Sequence, residues 1–173
     1  MPVEILALIV TLQQSPRANR PMKPTPLGNL RVIESKGYRR LRGEFAMGNR
    51  MYKDGVELDR LIDAITVSNE LDRKVVFDLG QRFNYLEFTL GIRDRIELNG
   101  NELANHASIY LDGKLVARRA LVKAPYVRVV LDVRGVRTLT VRSDFAATLA
   151  QPMLVPDAPA LNEGDLTNLL PNG

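Results

Sequence analysis

Apolar and polar residues alternate with a period of two through most of this chain, and that alternation constrains the fold more than any other feature. In NYLEFTLG (84–91), Leu86, Phe88 and Leu90 share one face. The same rhythm recurs in RKVVFDLG (73–80), YVRVVLDV (126–133) and TLTVRS (138–143). Antiparallel strands with one buried face and one solvated face have this pattern. About eight to ten such strands predict an all-β fold, an antiparallel β-sandwich or jelly roll.

Residue pairs that favour tight turns separate the predicted strands. The clearest pair is Asp112-Gly113 in ASIYLDGKLVA (107–117), since a two-residue hairpin turn needs positive backbone angles at both positions. We expect a hairpin here, with Ile109, Leu111 and either Leu115 or Val116 in the core. Asp54-Gly55, Asn99-Gly100 and Arg134-Gly135 give similar turn signals.

Both ends of the chain differ in composition from its centre. Residues 15–28 contain four prolines, which favour an extended backbone. We therefore expect an extended N-terminal arm over 1–28, a sandwich domain over 29–155 and an acidic C-terminal tail rich in proline and asparagine over 156–173. Residues 1–43 carry a net charge of +6 and residues 156–173 carry −3. The predicted domain is nearly neutral between them.

The composition excludes several functional classes. The chain has no cysteine and a single histidine, His106, so thiolate and histidine-cluster metal sites are excluded and we expect no metal and no cofactor. No serine-hydrolase, phosphate-loop or zinc-protease motif is present, and we expect no enzymatic activity. No apolar run is long enough to span a membrane. The apolar run at Ile5–Val10 is short for a secretory signal, which favours an intracellular or virion protein over a secreted one and leaves the compartment open.

Several short motifs follow one another between residues 48 and 155. They are GNRMYKDG (48–55), GIRD (91–94), IYLDGKL (109–115), VVLDVRGVRTL (129–139) and Asp144-Phe145. In this order they resemble the NPCBM/NEW2-type carbohydrate-binding modules. The resemblance implies a galactose-binding-like jelly roll that binds carbohydrate without catalysis. It has three departures: Arg93 stands at an acidic position of the family, Glu57 or Leu58 stands near a usual histidine, and Phe145 replaces a tryptophan.

Sugar sites combine an aromatic ring with carboxylates and amides that bind hydroxyl groups. The predicted loops offer five residues of these types: Tyr52, Asp54, Asp94, Asn99 and Asn101. Each also has a structural interpretation, since Tyr52 could cover a sheet edge and NGNELAN could be a plain polar loop. Only 6% of the residues are aromatic, which weakens the prediction of a stacking platform.

The alternative function is structural: a viral capsid, decoration, tail or filament component in which the charged ends latch neighbouring subunits, giving a homo-oligomer. The predicted latch residues are Ile5, Leu8, Arg17, Arg20, Arg39, Arg40, Leu166, Leu169 and Leu170. The expected partners are thus carbohydrate or neighbouring protein subunits. Nucleic-acid binding is disfavoured, because the basic residues concentrate in an arm and few aromatic residues are interleaved with them.

Overall fold

The computed structural model describes residues 22–59, 73–96, 105–121 and 126–169. Within them the chain forms twelve β-strands and one short 3-10 turn (Leu27–Asn29). The strands are β1 (Thr25–Pro26), β2 (Val32–Lys36), β3 (Tyr38–Met47), β4 (Arg50–Asp59), β5 (Arg73–Asp78), β6 (Tyr85–Gly91), β7 (His106–Leu111), β8 (Lys114–Ala120), β9 (Val127–Asp132), β10 (Thr138–Ser143), β11 (Ala146–Val155) and β12 (Leu166–Thr167).

Two sheets pack face to face, which confirms the predicted antiparallel β-sandwich. The larger sheet has the order β12-β9-β6-β11-β4-β3, and β1 pairs with β11 beside it. The smaller sheet has the order β2-β5-β10-β7-β8. Among the described strands, only the pair β12 and β9 is parallel. No helix in the described ranges is long and apolar enough to cross a membrane.

The core lies between the sheets and contains the faces that the alternation predicts. Leu86, Phe88 and Leu90 of β6 belong to one buried cluster with Val75 and Phe77 of β5. Burying such a side chain stabilises the fold by roughly 1.5–3 kcal/mol relative to an exposed one. The alternating faces of the sequence therefore became the inner faces of the two sheets.

The ASIYLDGKLVA hairpin forms as predicted. Asp112 and Gly113 have φ angles of 47° and 81°, both in the left-handed region. A β-bulge between Ile109 and Tyr110 shifts the register, so that Leu115 pairs with Tyr110 on the outward face. Leu115 is accordingly 48% exposed, and Val116 packs against the core in its place.

The folded domain extends beyond the predicted limits of 29–155. Leu27 has no exposed surface, Thr25–Pro26 pairs with β11, and Leu166–Thr167 pairs with β9. Unpaired strand edges leave backbone donors and acceptors unsatisfied. These short segments satisfy some of them, a role that the Pro-rich composition did not reveal. Of the predicted latch residues, Ile5, Leu8, Arg17, Arg20 and Leu170 lie outside the described residues.

The described part of the C-terminal tail packs on its own domain. The side chain of Asn168 accepts a hydrogen bond from the backbone N–H of Asp132 (2.7 Å) and donates one to its carbonyl oxygen (3.1 Å). Leu166 packs against the main core, and Leu169 is half-buried. The inter-subunit role of Leu166 and Leu169 stays a prediction.

Candidate ligand-binding cleft

A cleft opens on the outer face of the larger sheet where β11 changes its neighbour. Ala150 of β11 pairs with Gly55 of β4, whereas Met153 pairs with Pro26 of β1. Between these pairs the register of β11 against β6 shifts, and Gln151 has a φ of 48°. β-Bulges bend a strand and leave a residue unpaired. The bulge and the gap between β4 and β1 together form the floor of the cleft.

The β3–β4 hairpin bends beside this gap and forms one wall. Gly43 and Asp54 face each other at the bend with φ angles of 84° and 62°. The backbone N–H of Gly43 donates a hydrogen bond to Oδ1 of Asp54 (3.3 Å). Beyond the bend the ring of Phe45 lies over Gly55, where an added Cβ would be 2.9 Å from the Phe45 Cζ atom. The absence of a side chain at Gly55 thus permits the bend.

A small apolar cluster packs beneath the bent hairpin, and we call it the bend cluster. Its buried members are Leu41, Phe45, Met47, Tyr52 and Ala150, and Tyr126 packs against them. The ring of Tyr52 is 9% exposed and stacks on Phe45 with centroids 6.0 Å apart. Tyr52, predicted as a sugar platform, therefore fills the bend cluster and presents no free face to a ligand.

The cleft has a volume of about 520 Å³, within the range that small-ligand sites occupy. Its lining is polar and apolar in about equal parts. The polar side chains are those of Arg40, Lys53, Asp54, Glu87, Thr89, Arg128 and Gln151; the apolar ones are those of Pro26, Phe88, Ala150, Pro152 and Met153. Hydrogen-bond donors and acceptors therefore lie beside apolar side chains around one concave space.

Arg128 is the most constrained charge of the cleft. Its Nη2 atom donates to Oε2 of Glu87 at 2.9 Å, and its Nη1 atom donates to Oδ2 of Asp165 in the tail at 2.7 Å. Partial burial lowers the pKa of the Arg128 guanidinium, but the bonds to Glu87 and the charge of Asp165 outweigh burial and raise the pKa above its ordinary value. Arg128 therefore stays charged and joins the tail to the cleft.

A second polar group lies on the same face of the sheet, around Glu57. This carboxylate has no exposed surface, and it contacts the guanidinium groups of Arg39, Arg93 and Arg95. Nε of Arg93 lies 2.7 Å from Oε2, and Nη2 of Arg95 lies 3.7 Å from Oε1. Burial raises the pKa of Glu57 above its ordinary value, and the charges of Arg39 and Arg95 oppose that rise only in part. Guanidinium groups face both oxygens of this buried carboxyl group. We call this group the Glu57 cluster.

The structure places the predicted ligand residues in different parts of the molecule. Asp54 lines the cleft. Asp94 instead accepts hydrogen bonds from the backbone N–H groups of Gly48 (2.7 Å) and Asn49 (3.4 Å), so both of its oxygens hold the tip of the β3–β4 hairpin. Asn99 and Asn101 lie outside the described residues. The two predicted latch arginines also separate: Arg39 joins the Glu57 cluster, and Arg40 lines the cleft.

Most of the cleft residues were not predicted, among them Glu87, Arg128 and Gln151. Pro152 carried a usable signal, because a proline inside an apolar strand marks an edge or a bulge. Glu87 and Arg128 carried no comparable signal, since their pairing depends on the β6–β9 register and on the docked tail. Within the described ranges, no group of three or more His, Asp or Glu side chains is placed to hold a metal ion.

Comparison with known structures establishes the fold. The tandem CBM51 modules of a family 98 glycoside hydrolase from Streptococcus pneumoniae superpose with a TM-score of 0.59 and 10% identity, covering 78% of this chain and 47% of that chain. A CBM51 from GH95 of Clostridium perfringens, solved with methyl-galactose, gives a TM-score of 0.56 and 13% identity, covering 77% of this chain and 100% of that one. This chain therefore shares the β-sandwich fold of these modules.

A third match is a two-domain structure from ZmpB of Clostridium perfringens that contains the module CBM51-2. It has a TM-score of 0.58 and 14% identity, and the match covers 78% of this chain and 32% of that chain. The same module has been solved in complex with GlcNAc. This chain thus spans about a third of the ZmpB chain. No protein-family model and no curated protein matches the sequence. The fold implied by the NPCBM/NEW2 resemblance is confirmed.

Proposed function

We propose that this protein is a non-catalytic carbohydrate-binding module whose ligand enters the cleft between β1 and the β3–β4 hairpin. The observation that carries the proposal is the cleft itself, a concave space of about 520 Å³ with both polar and apolar lining on a galactose-binding-like sandwich. The solved modules that share this fold include complexes with methyl-galactose and with GlcNAc.

The lining suits a sugar because each hydroxyl group both donates and accepts hydrogen bonds. Asp54 supplies a carboxylate acceptor, and Lys53 supplies a charged donor. Bonds in which one partner is charged are about twice as strong as neutral ones. Pro152, together with Pro26 and Met153, offers an apolar surface for the C–H face of a sugar ring. This surface replaces the aromatic platform that Tyr52 does not provide.

The carboxylates of the cleft support binding and not hydrolysis. A glycosidase uses one carboxyl group as an acid and a second as a nucleophile or base. Glu87 forms an ion pair with Arg128 at 2.9 Å, so its charge is committed to a neighbouring side chain. Asp54 accepts a hydrogen bond from the backbone of Gly43 and thereby holds the hairpin bend. Both acids therefore have structural partners.

A glycan array with the full chain tests the proposal, using neutral glycans that end in galactose or N-acetylglucosamine together with acidic ones. The variant Thr89→Tyr places a phenol ring in the cleft, because Thr89 lies on the outer face of β6 in the lining. Thr140→Tyr is the matched control, since Thr140 lies on the central strand of the smaller sheet and is similarly half-buried. We expect wild type and Thr140→Tyr to retain the same glycans and Thr89→Tyr to lose them.

Two results would overturn the proposal. One is an array without any retained glycan for a wild-type protein that is folded by circular dichroism. The other is equal retention by the wild type and Thr89→Tyr, which would place the sugar elsewhere on the sandwich.

A further inference from the structure

We propose that the cleft selects an anionic sugar, one that carries a carboxylate or a sulfate ester, over its neutral counterpart. This inference rests on the proposed function and names the ligand class of the same site. It follows from how the charges around the cleft are already paired.

Two acidic groups pair with Arg128 and together exceed its charge by one. Glu87 and Asp165 each lie within 3 Å of a different nitrogen of this guanidinium, at 2.9 and 2.7 Å. The carbonyl oxygen of Ala160 also accepts from Nη1 at 2.8 Å. The donors of Arg128 are therefore largely occupied by protein acceptors, and we do not expect this residue to bind an anionic ligand.

Arg40 and Lys53 stand in contrast to Arg128. Both line the cleft, and neither forms an ion pair or a hydrogen bond with a side chain in the described part of the molecule. They belong to adjacent strands of the bent hairpin, β3 and β4. Two cations on one wall, without a protein anion to pair them, form a positive site that a ligand can complete.

Arg40 is also positioned by the fold. Its stem crosses Gly28, where an added Cβ would lie 3.0 Å from Nε and 3.3 Å from Cδ of Arg40. Gly28 does not have a left-handed φ. A side chain at position 28 would therefore disturb the packing of Arg40 rather than strain the backbone. A side chain that packs along the 3-10 turn loses less freedom when it binds a ligand than a fully solvated one.

Asp54 is the acidic group that opposes this preference. Its Oδ1 atom is turned toward the backbone N–H of Gly43 and lies 3.3 Å from it. On the wall formed by the β3–β4 hairpin, two cationic side chains therefore face one carboxylate. One oxygen of that carboxylate is already bonded to the backbone of the bend. Removal of the Asp54 charge should therefore strengthen the preference for an anion.

Isothermal titration or NMR shift titration of the full chain provides the measurement. The matched probes are D-galacturonate, galactose 6-sulfate and methyl-galactoside, which differ at C6 in the presence and kind of negative charge. Inorganic sulfate alone serves as the fourth probe. We expect one or both anionic sugars to bind about tenfold more tightly than the neutral sugar at low ionic strength, and the difference to shrink in about 0.5 M salt because of screening.

Variants of cleft residues then test whether the preference for anionic sugars arises in the cleft. Arg40→Gln and Lys53→Gln should each reduce the advantage of the anionic sugar about threefold, because each lowers the affinity for the anionic sugars more than the affinity for methyl-galactoside. Asp54→Asn should increase that advantage. Arg118→Gln is the control, because Arg118 is an exposed cation on β8 of the smaller sheet and its removal lowers the net charge equally.

The outcomes separate this inference from the proposed function. Binding of methyl-galactoside without any gain for the anionic sugars would overturn the inference and leave the module proposal in place. No binding of any of the sugars, here and on the glycan array, would overturn both. Inorganic sulfate that binds as tightly as the anionic sugars, or an advantage that survives in the double variant Arg40→Gln/Lys53→Gln, would also overturn the inference.

Discussion

The Nε atom of Arg93 lies 2.7 Å from Oε2 of Glu57, a carboxylate with no exposed surface on the outer face of the larger sheet. These two positions are two of the departures from the NPCBM/NEW2 pattern. Arg93 stands where the family has an acidic residue, and Glu57 stands near the position where the family has a histidine. The structure shows that they contact each other, so one departure compensates the charge of the other.

Loss of the Glu57 charge should destabilise the fold. Glu57→Gln would leave the buried guanidinium of Arg93 without its anion, and removal of one partner of a buried pair costs about 3 kcal/mol. We expect the free energy of unfolding in urea to fall by about that amount. Glu34→Gln is the control: its pair with Lys74 at 2.8 Å is exposed, and its loss should cost less than about 1 kcal/mol. Equal effects of the two substitutions would show that Glu57 has no special role in stability.

Two glycines of the cleft provide a second test, because they differ in what a methyl group would meet. At Gly55 a Cβ would lie 2.8 Å from the carbonyl oxygen of Leu149 and 2.9 Å from Cζ of Phe45. Gly55→Ala should therefore destabilise the domain by about 1–3 kcal/mol, as overpacking does. At Gly28 the nearest atoms belong to the flexible side chain of Arg40. Gly28→Ala should change the thermal midpoint little, and a large loss there would contradict the explanation by side-chain approach.

The period-two pattern predicted the sandwich because burial of one strand face is a local property of the sequence. Leu86, Phe88 and Leu90 needed only an opposing sheet to become core residues. The turn at Asp112-Gly113 was predictable for a similar reason, since its backbone angles restrict the residue types.

The cleft was much less predictable, because it forms at the point where the pairing partner of β11 changes from β4 to β1. Asp54 was found because it occupies a turn signal, and the same backbone bend places it in the cleft. Arg128 and Asp165 are 37 residues apart and meet only when the tail docks. The burial of Tyr52 could not be predicted, because the residues next to it in the sequence do not show that its ring stacks on Phe45.

The hairpin turn between β7 and β8 should show a dependence on pH. The Asp112 carboxylate accepts hydrogen bonds from the backbone N–H groups of Arg137 (3.0 Å) and Thr138 (2.8 Å). Desolvation raises the pKa of Asp112, but the bonds from Thr138 and Arg137 outweigh it, and the pKa lies below its ordinary value. The charged form is therefore favoured by folding. Its stabilisation is present above the unfolded pKa of about 3.9 and is lost as the pH falls through the lower folded value.

Asp112→Asn tests this relationship without strain, because asparagine tolerates the left-handed φ of 47°. We expect the variant to be less stable by about 0.5–1 kcal/mol at pH 7, a modest effect since Asp112 is exposed. Urea unfolding of both proteins between pH 7 and pH 2 should show the difference shrinking in the acidic range. A constant difference would mean that the side-chain charge contributes nothing to the turn.

The docking of the tail depends on one amide side chain. Asn168 binds both the N–H and the carbonyl oxygen of Asp132 and so extends the parallel pairing of β12 with β9. Asn168→Asp keeps the acceptor, removes the donor and brings a carboxylate to the carbonyl oxygen. The loss of this bond should raise the hydrogen exchange rate of the Leu166 and Thr167 amides about tenfold, with little change in the exchange of β6. Asn162→Asp is the control in the same tail, since Asn162 bonds to Asp165 through its backbone N–H. Equal exchange in both variants would show that the Asn168 side chain does not hold the tail.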